Sequence, residues 1–278
     1  MSTVTATQGG HERWYLRIPL FHRVSHFFLM LSFIGLAGTG LAISFSDRSW
    51  AQSFSEFVGG FPVILYWHKL SALVLSAVFA IHLVYVFFKG FVLRDWGVFW
   101  GPGSMVPNLK DGQDIVATIK WFFGRGPRAK FDELTYFEKF DYWAVFWGMF
   151  IIGGSGYMLW FSGQFAQWLP GWLFNIAFIV HSEEALLAIW FIFTIHFFNN
   201  HLRLEKFPMD LVFLTGKISE HELKEERAGQ VERLAAEGKP PGKTVDPPSW
   251  WMRALAYIIG TIIVLTGFAL AIGTLLTW

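Results

Sequence analysis

Cysteine is absent from the 278 residues. That excludes disulfides, thiolate-held zinc, Cys-ligated iron–sulfur clusters and covalent attachment of c-type haem within this chain. Any redox metal must be held by His, Met or carboxylates, or sit in a partner. Charge is also scarce. Only 15% of the residues are charged, against about 25% in an ordinary soluble domain, which is too little polar surface to cover a water-soluble globule. The net charge is +1 and the basic residues are not pooled in one patch, so no nucleic-acid partner is expected. Met1–Trp14 is polar and lacks an apolar h-region, so no cleaved signal peptide is expected. What the chain has in excess is apolar and aromatic: 54% hydrophobic, with fifteen Trp and thirty-one Phe, residues suited to membrane interfaces and to the faces of large planar cofactors.

A bilayer core about 30 Å thick takes roughly 20 apolar residues per helix. Five segments meet that demand, 24–45, 63–88, 144–161, 173–198 and 254–278, so the expected fold is an all-α, polytopic membrane helix bundle with five transmembrane helices embedded in lipid. The basic residues set its orientation. Arg13, Arg17 and Arg23 precede the first segment, eight Lys or Arg lie between the second and third, and nine lie between the fourth and fifth. The other two loops hold Arg48 alone. The N-terminus and both long loops are therefore expected on the cytoplasmic side of a bacterial inner membrane, and Trp278 on the periplasmic side. The chain divides into a cytoplasmic N-terminal segment (1–23), a four-helix core (24–218), a charged helix with a Pro-rich linker (219–250) and a fifth transmembrane helix (251–278). Within the second loop, 111–124 reads as a short amphipathic helix near the interface, and 219–236 as one charged, soluble helix.

Seven of the nine histidines lie in or at the ends of the first, second and fourth segments, and ionisable groups inside a bilayer are costly enough to read as functional. His68 and His82 are fourteen residues apart, and His181 and His196 fifteen. Fourteen steps of a helix return to within about 40° of one face and fifteen to within about 60°, over a rise of about 21 to 22 Å. The second and fourth helices run in the same direction, so His68 matches His181 in depth near the outer side, and His82 matches His196 near the inner side. Two neutral imidazoles on one haem iron leave no open coordination position, which suits electron transfer rather than oxygen binding. The spacing thus points to two b-type haems stacked across the bilayer between helices 1, 2 and 4. His26 lies at about the depth of His196 and rivals His82 as the inner ligand. His22 and His201 lie closer to the cytoplasm, where they would hold a third haem, bind quinone or propionates, or relay protons. A histidine-lined proton pathway is the competing reading, but it does not account for the paired spacing.

Other residues support such a site. Gly35, Gly38, Gly40, Gly148, Gly153, Gly154 and Gly156 let a helix or a porphyrin approach the backbone, and ordinary helix packing explains them equally well. Lys69 and Arg23 adjoin candidate ligands and are candidates to pair with anionic propionates. Glu183 and Glu184 follow His181, and one of them is expected to accept the ring N–H of a ligand histidine and fix its tautomer.

At this point a family resemblance is visible. Arg23-Val-Ser-His26-Phe with Gly38-Thr-Gly-Leu41, then His68, His181, His196 and Leu214-Thr-Gly-Lys-Ile-Ser219, resemble the cytochrome b (gamma) subunit of membrane formate dehydrogenases and their hydrogenase relatives, over about residues 20 to 230. Glu138-Lys-Phe-Asp-Tyr-Trp143, His181-Ser-Glu-Glu-Ala185, His196-Phe-Phe-Asn-Asn-His-Leu-Arg203 and Glu205-Lys-Phe-Pro-Met-Asp210 are more similar to a sister branch associated with multihaem c-type cytochromes. The resemblance implies an outer haem between His68 and His181, an inner haem between His26 and His196, and a quinone (menaquinone or ubiquinone) at the inner haem, with Glu138 and Asp141 beside it as candidate proton carriers. An ordinary charged helix start explains those two carboxylates equally well. The fifth segment, the fifteen-residue gap, His82 and His201 depart from that family's pattern, so His26, His82 and His196 are three candidates for two positions unless a third haem uses the surplus. The function expected is an electron relay of a quinone oxidoreductase complex, from quinol to a periplasmic multihaem c-type cytochrome. The alternative is a haem b anchor for iron–sulfur and molybdenum dehydrogenase subunits that reduces quinone, and a further one is a haem-free proton relay.

Overall fold

The computed structural model describes residues 12–275; His11 and Trp278, the latter expected on the periplasmic side, lie outside the described residues. Five helices are long and apolar enough to cross a membrane: Leu20–Ser44, Phe61–Val92, Tyr136–Trp160, Trp172–Leu202 and Trp250–Leu275. No residue in the apolar windows of the second and third is buried within the protein. Large apolar side chains such as Leu31, Val84, Phe150, Phe178 and Leu265 stand more than half exposed on all five. Apolar surface that extensive is incompatible with a monomer in water, and fits a multi-pass membrane protein. The interior is narrow: Ala37 and Leu41 of the first helix meet Ile189, Phe193 and Phe197 of the fourth and Ala271 of the fifth.

The third helix begins eight residues before the expected 144. Thr135 caps it, with its hydroxyl accepting from the Glu138 N–H at 3.2 Å while Glu138 Oε2 accepts from the Thr135 N–H at 2.7 Å. This reciprocal cap satisfies the otherwise orphaned first amides, so charged residues that hydropathy assigns to a loop are helical. Three of the helices are not regular throughout. Wider π turns occupy Phe88–Val92 in the second, Met149–Gly153 in the third, and Phe191–His196 and Phe198–Leu202 in the fourth.

The first and second long helices are joined through a short helix, Ser49–Val58, stopped by Gly59 at φ +104°, a backbone conformation glycine adopts without steric cost. At the other end the bundle carries a folded cap that periodicity did not predict. Strand β1 (Trp14–Leu16) pairs antiparallel with β2 (Lys217–Ser219) and β3 (Thr244–Val245), in the order β2-β1-β3. The segment 219–236 is two helices, Glu220–Glu226 and Ala228–Ala236, rather than one. The chain bends at Arg227, whose guanidinium reaches Glu138 at 2.7 Å. Lys206 is buried among Asp210 (3.1 Å), Glu222 (3.0 Å) and Glu226 (2.8 Å). Burial disfavours its ammonium, but the three carboxylates outweigh that cost and hold its pKa above the ordinary lysine value. The N-terminal strand, the second loop and the segment between the fourth and fifth helices thus assemble at one end of the bundle.

The amphipathic helix of the second loop runs Leu109–Phe122 and is capped by Asn108 and Asp111. Asp111 also receives the ammonium of Lys139 at 2.8 Å, with side-chain exposures of 11% and 4%. Removing one partner of a buried pair strands the other charge, at a cost of about 3–5 kcal/mol. Asp111→Ala is therefore expected to lower the thermal midpoint of the detergent-solubilised protein by several degrees. A double variant, Asp111→Ala with Lys139→Met, is expected to recover most of that loss.

Candidate functional site

The histidines fall into three groups, each between different helices. His68 of the second helix and His181 of the fourth face one another with ring centroids 6.2 Å apart and planes at 78°. Their tautomers follow from the hydrogen bonds around them. Thr39 donates its hydroxyl proton to the Gly35 carbonyl at 2.5 Å, so at 2.9 Å from His68 Nδ1 it can only accept. His68 therefore carries its proton on Nδ1. His181 Nδ1 lies 2.9 Å from the Ile152 carbonyl, which fixes the same tautomer. Both rings are left with a lone pair on Nε2, the form that binds a metal.

Space is made for these rings by glycine. A Cβ at Gly40 would sit 3.3 Å from His68 Cε1, and one at Gly156 would sit 2.8 Å from His181 Cε1. These two glycines, among the seven that admitted either reading, face imidazoles. The acceptor for His181 is a main-chain carbonyl of the π turn Met149–Gly153, not Glu183 or Glu184 as expected. Glu184 instead accepts from Trp147 Nε1 at 3.1 Å.

At the cap end, His196 Nδ1 lies 2.8 Å from Asp141 Oδ2, with the two side chains 20% and 17% exposed. Asn200 Nδ2 stands 3.5 Å from the same oxygen and donates to the His196 carbonyl at 2.9 Å. The carboxylate accepts, so His196 also carries its proton on Nδ1 and presents Nε2. The fifteen-residue gap between His181 and His196 contains the π turn Phe191–His196, which takes up an extra residue relative to a regular helix and offsets the rotation that separates the two rings. His26 of the first helix lies within electrostatic reach of both His196 and His201. Phe213 bridges this group, edge-on to His26 at 6.3 Å and to His201 at 5.0 Å.

His82 has a different partner. Its Nε2 hydrogen-bonds the Tyr142 hydroxyl at 2.9 Å, and it lies within electrostatic reach of His22, whose ring packs against Phe21 and Tyr85. Arg23 donates through Nη1 to the carbonyls of Leu214 (2.8 Å) and Thr215 (3.1 Å). That contact requires Gly216 at φ +72°, where a Cβ would strike the Ile18 carbonyl and Arg23 itself. Lys69 stands over the Trp160 ring at 5.1 Å. Glu138 is committed to its cap, to Arg227 and, at 4.0 Å, to Arg17.

Two imidazoles bound on opposite sides of one metal at about 2.0–2.1 Å hold their ring centroids about 6 Å apart. The His68–His181 separation matches that figure, and the donor set fits a haem iron. Among the described residues no cluster of three or more His, Asp or Glu is close enough to hold a free metal ion, whereas a haem iron asks for only two. Neither a protein-family model nor a curated protein matches the chain, so the function of the site has to follow from its own chemistry.

Proposed function

We propose that the chain is a b-type cytochrome of the bacterial inner membrane, with one haem between His68 and His181 and a second between His26 and His196, relaying electrons between the quinone pool and a partner redox protein. The observation that carries this reading is the shared state of three imidazoles. His68, His181 and His196 each commit Nδ1–H to a fixed acceptor and turn an Nε2 lone pair outward. A proton relay would have to pass the Nδ1 proton onward, and neither an amide carbonyl nor the Thr39 hydroxyl oxygen is basic enough to take it up from His181 or His68. His82, with Nε2 already engaged by Tyr142, is not assigned an axial role.

Haem, when bound, would supply one-electron redox chemistry, with the two imidazoles of each pair as its protein ligands. The chain's own residues orient and insulate it. Thr39, the Ile152 carbonyl and Asp141 hold the ligand rings, Gly40 and Gly156 clear their paths, and the apolar helices keep water out. The resemblance adds the direction of flow. By that resemblance, menaquinol or ubiquinol would be oxidised at the His26–His196 pair, beside the Asp141 and Glu138 carboxylates, and the His68–His181 pair would lie towards a periplasmic multihaem c-type cytochrome as the acceptor.

A pyridine-haemochrome assay with protein quantification tests the core of this reading. Two b haems per purified chain are expected. His68→Ala and His181→Ala should each lose the same haem, His26→Ala and His196→Ala the other, and His82→Ala neither. A chain that binds no haem, or loses one with His82→Ala while retaining both with His26→Ala, would overturn the assignment. Purified protein reduced by menaquinol or ubiquinol but not by formate plus a dehydrogenase would fix the direction.

A further inference from the structure

The buried polar groups near His26 and His196 include two that no described residue satisfies. His201 is 8% exposed, and its Nδ1 has no hydrogen-bond partner. Arg23 Nε is likewise buried and unpartnered, although its Nη1 is anchored to the main chain. Each such orphan costs about 1–3 kcal/mol; Arg203 Nε, Arg227 Nε, Gln230 Oε1 and Ser249 Oγ are also buried without a partner, and what sets His201 and Arg23 apart is that they share one location. Their positions agree. Arg23 is one turn before His26 on the first helix, and His201 is one π turn beyond His196 on the fourth. Both lie against the segment 213–216: His201 packs on Phe213, and Arg23 binds the carbonyls of Leu214 and Thr215. Each donor therefore stands one turn towards the cap from one of the two inner ligands, against the same wall.

The group that belongs there is anionic and carries acceptor oxygens. A b-type haem bears two propionate carboxylates on one edge, and a porphyrin held by His26 and His196 with that edge towards the cap directs them at these donors. Asp210, within electrostatic reach of His201, is already paired with Lys206 at 3.1 Å and accepts from the Val212 N–H at 2.6 Å, and His201 Nδ1 has no hydrogen-bond partner. We propose that His201 and Arg23 form the propionate-anchoring site of the inner haem, His201 as a buried N–H donor and Arg23 as the cation. This rests on the two-haem reading above, and assigns the surplus histidine a positioning role rather than an axial one.

Redox titration of the purified protein tests it, with the inner haem identified by its absence from His26→Ala. His201→Leu removes the donor and exposes iron to an uncompensated carboxylate. At the wild-type inner midpoint its ferric-to-ferrous ratio is expected to rise about tenfold, equivalent to about 59 mV for one electron. His201→Gln, which keeps an N–H, is expected to stay within about threefold of wild type, and the outer haem should not move in either. If the Leu variant does not fold, the wild-type apoprotein reconstituted with haem dimethyl ester should fill the outer site normally and the inner site about tenfold more weakly. Equal filling of both sites overturns the proposal. So does an inner midpoint unmoved in His201→Leu, or a third haem that is lost in that variant. A wild-type chain without haem overturns the haem reading itself, a result distinguishable from all of these.

Discussion

Gly156→Ala is expected to strip the outer haem from the protein while leaving the inner one in place. The added methyl would lie 2.8 Å from His181 Cε1 and 3.1 Å from His181 Nδ1, and the ring cannot simply step aside. Its Nδ1–H is held by the Ile152 carbonyl at 2.9 Å, from the same helix that carries residue 156. Any movement that relieves the methyl breaks that bond or carries Nε2 away from its position opposite His68. Local helix stability changes in the other direction, since alanine is favoured over glycine in a helix interior by about 0.8–1 kcal/mol. A haem content falling from two towards one per chain, with an unchanged or raised thermal midpoint of the apoprotein, is therefore the expected signature. Retention of both haems would mean that His181 does not use the space beside Gly156. Gly267 provides the control. It meets Phe193 and Phe197 rather than an imidazole, so Gly267→Ala should lower stability through the core, and because Phe197 packs on His196 and His201 any haem loss there should fall on the inner site, the reverse of Gly156→Ala.

That contrast shows where the sequence is informative. The apolar helices are legible because a bilayer imposes length and hydropathy on each span independently of its neighbours. The beginning of the third helix is not, because Glu138, Lys139 and Asp141 read as loop charges. Each is satisfied by a partner distant in sequence: Arg227 for Glu138, Asp111 for Lys139 and His196 for Asp141. The three-residue strands of the cap are too short to show a period, and β1 pairs with residues some two hundred positions away. The depth of His68 and His181 follows from counting residues along helices. Their tautomers do not, because a main-chain carbonyl in a π turn leaves no signature in residue type, and the nearby Glu183 and Glu184 drew attention to the wrong acceptor. Among the glycines, composition alone could not separate Gly156, which faces a ring, from Gly148, whose added Cβ would find only Ile152 at 3.9 Å.

Asp141→Leu is expected to weaken inner-haem retention about 10- to 100-fold, the usual effect of deleting the carboxylate behind a metal-bound imidazole, or about 1.4 to 2.8 kcal/mol at 1.4 kcal/mol per tenfold. The carboxylate does two things that substitution can separate. It fixes the His196 ring, holding Nδ1–H at 2.8 Å, and it would place a negative charge one imidazole away from an iron bound at Nε2. Asp141→Asn keeps an acceptor oxygen but removes the charge, so the inner haem should remain bound. Its midpoint should rise, because a less electron-rich Nε2 stabilises ferric iron less well. A haem at the outer pair should keep its potential in both variants, since His68 and His181 are oriented by Thr39 and the Ile152 carbonyl. A potentiometric titration of the two variants beside the wild type reads all of these effects together. An inner midpoint unmoved in Asp141→Asn, combined with slowed quinol oxidation, would instead assign Asp141 to carrying the quinol proton.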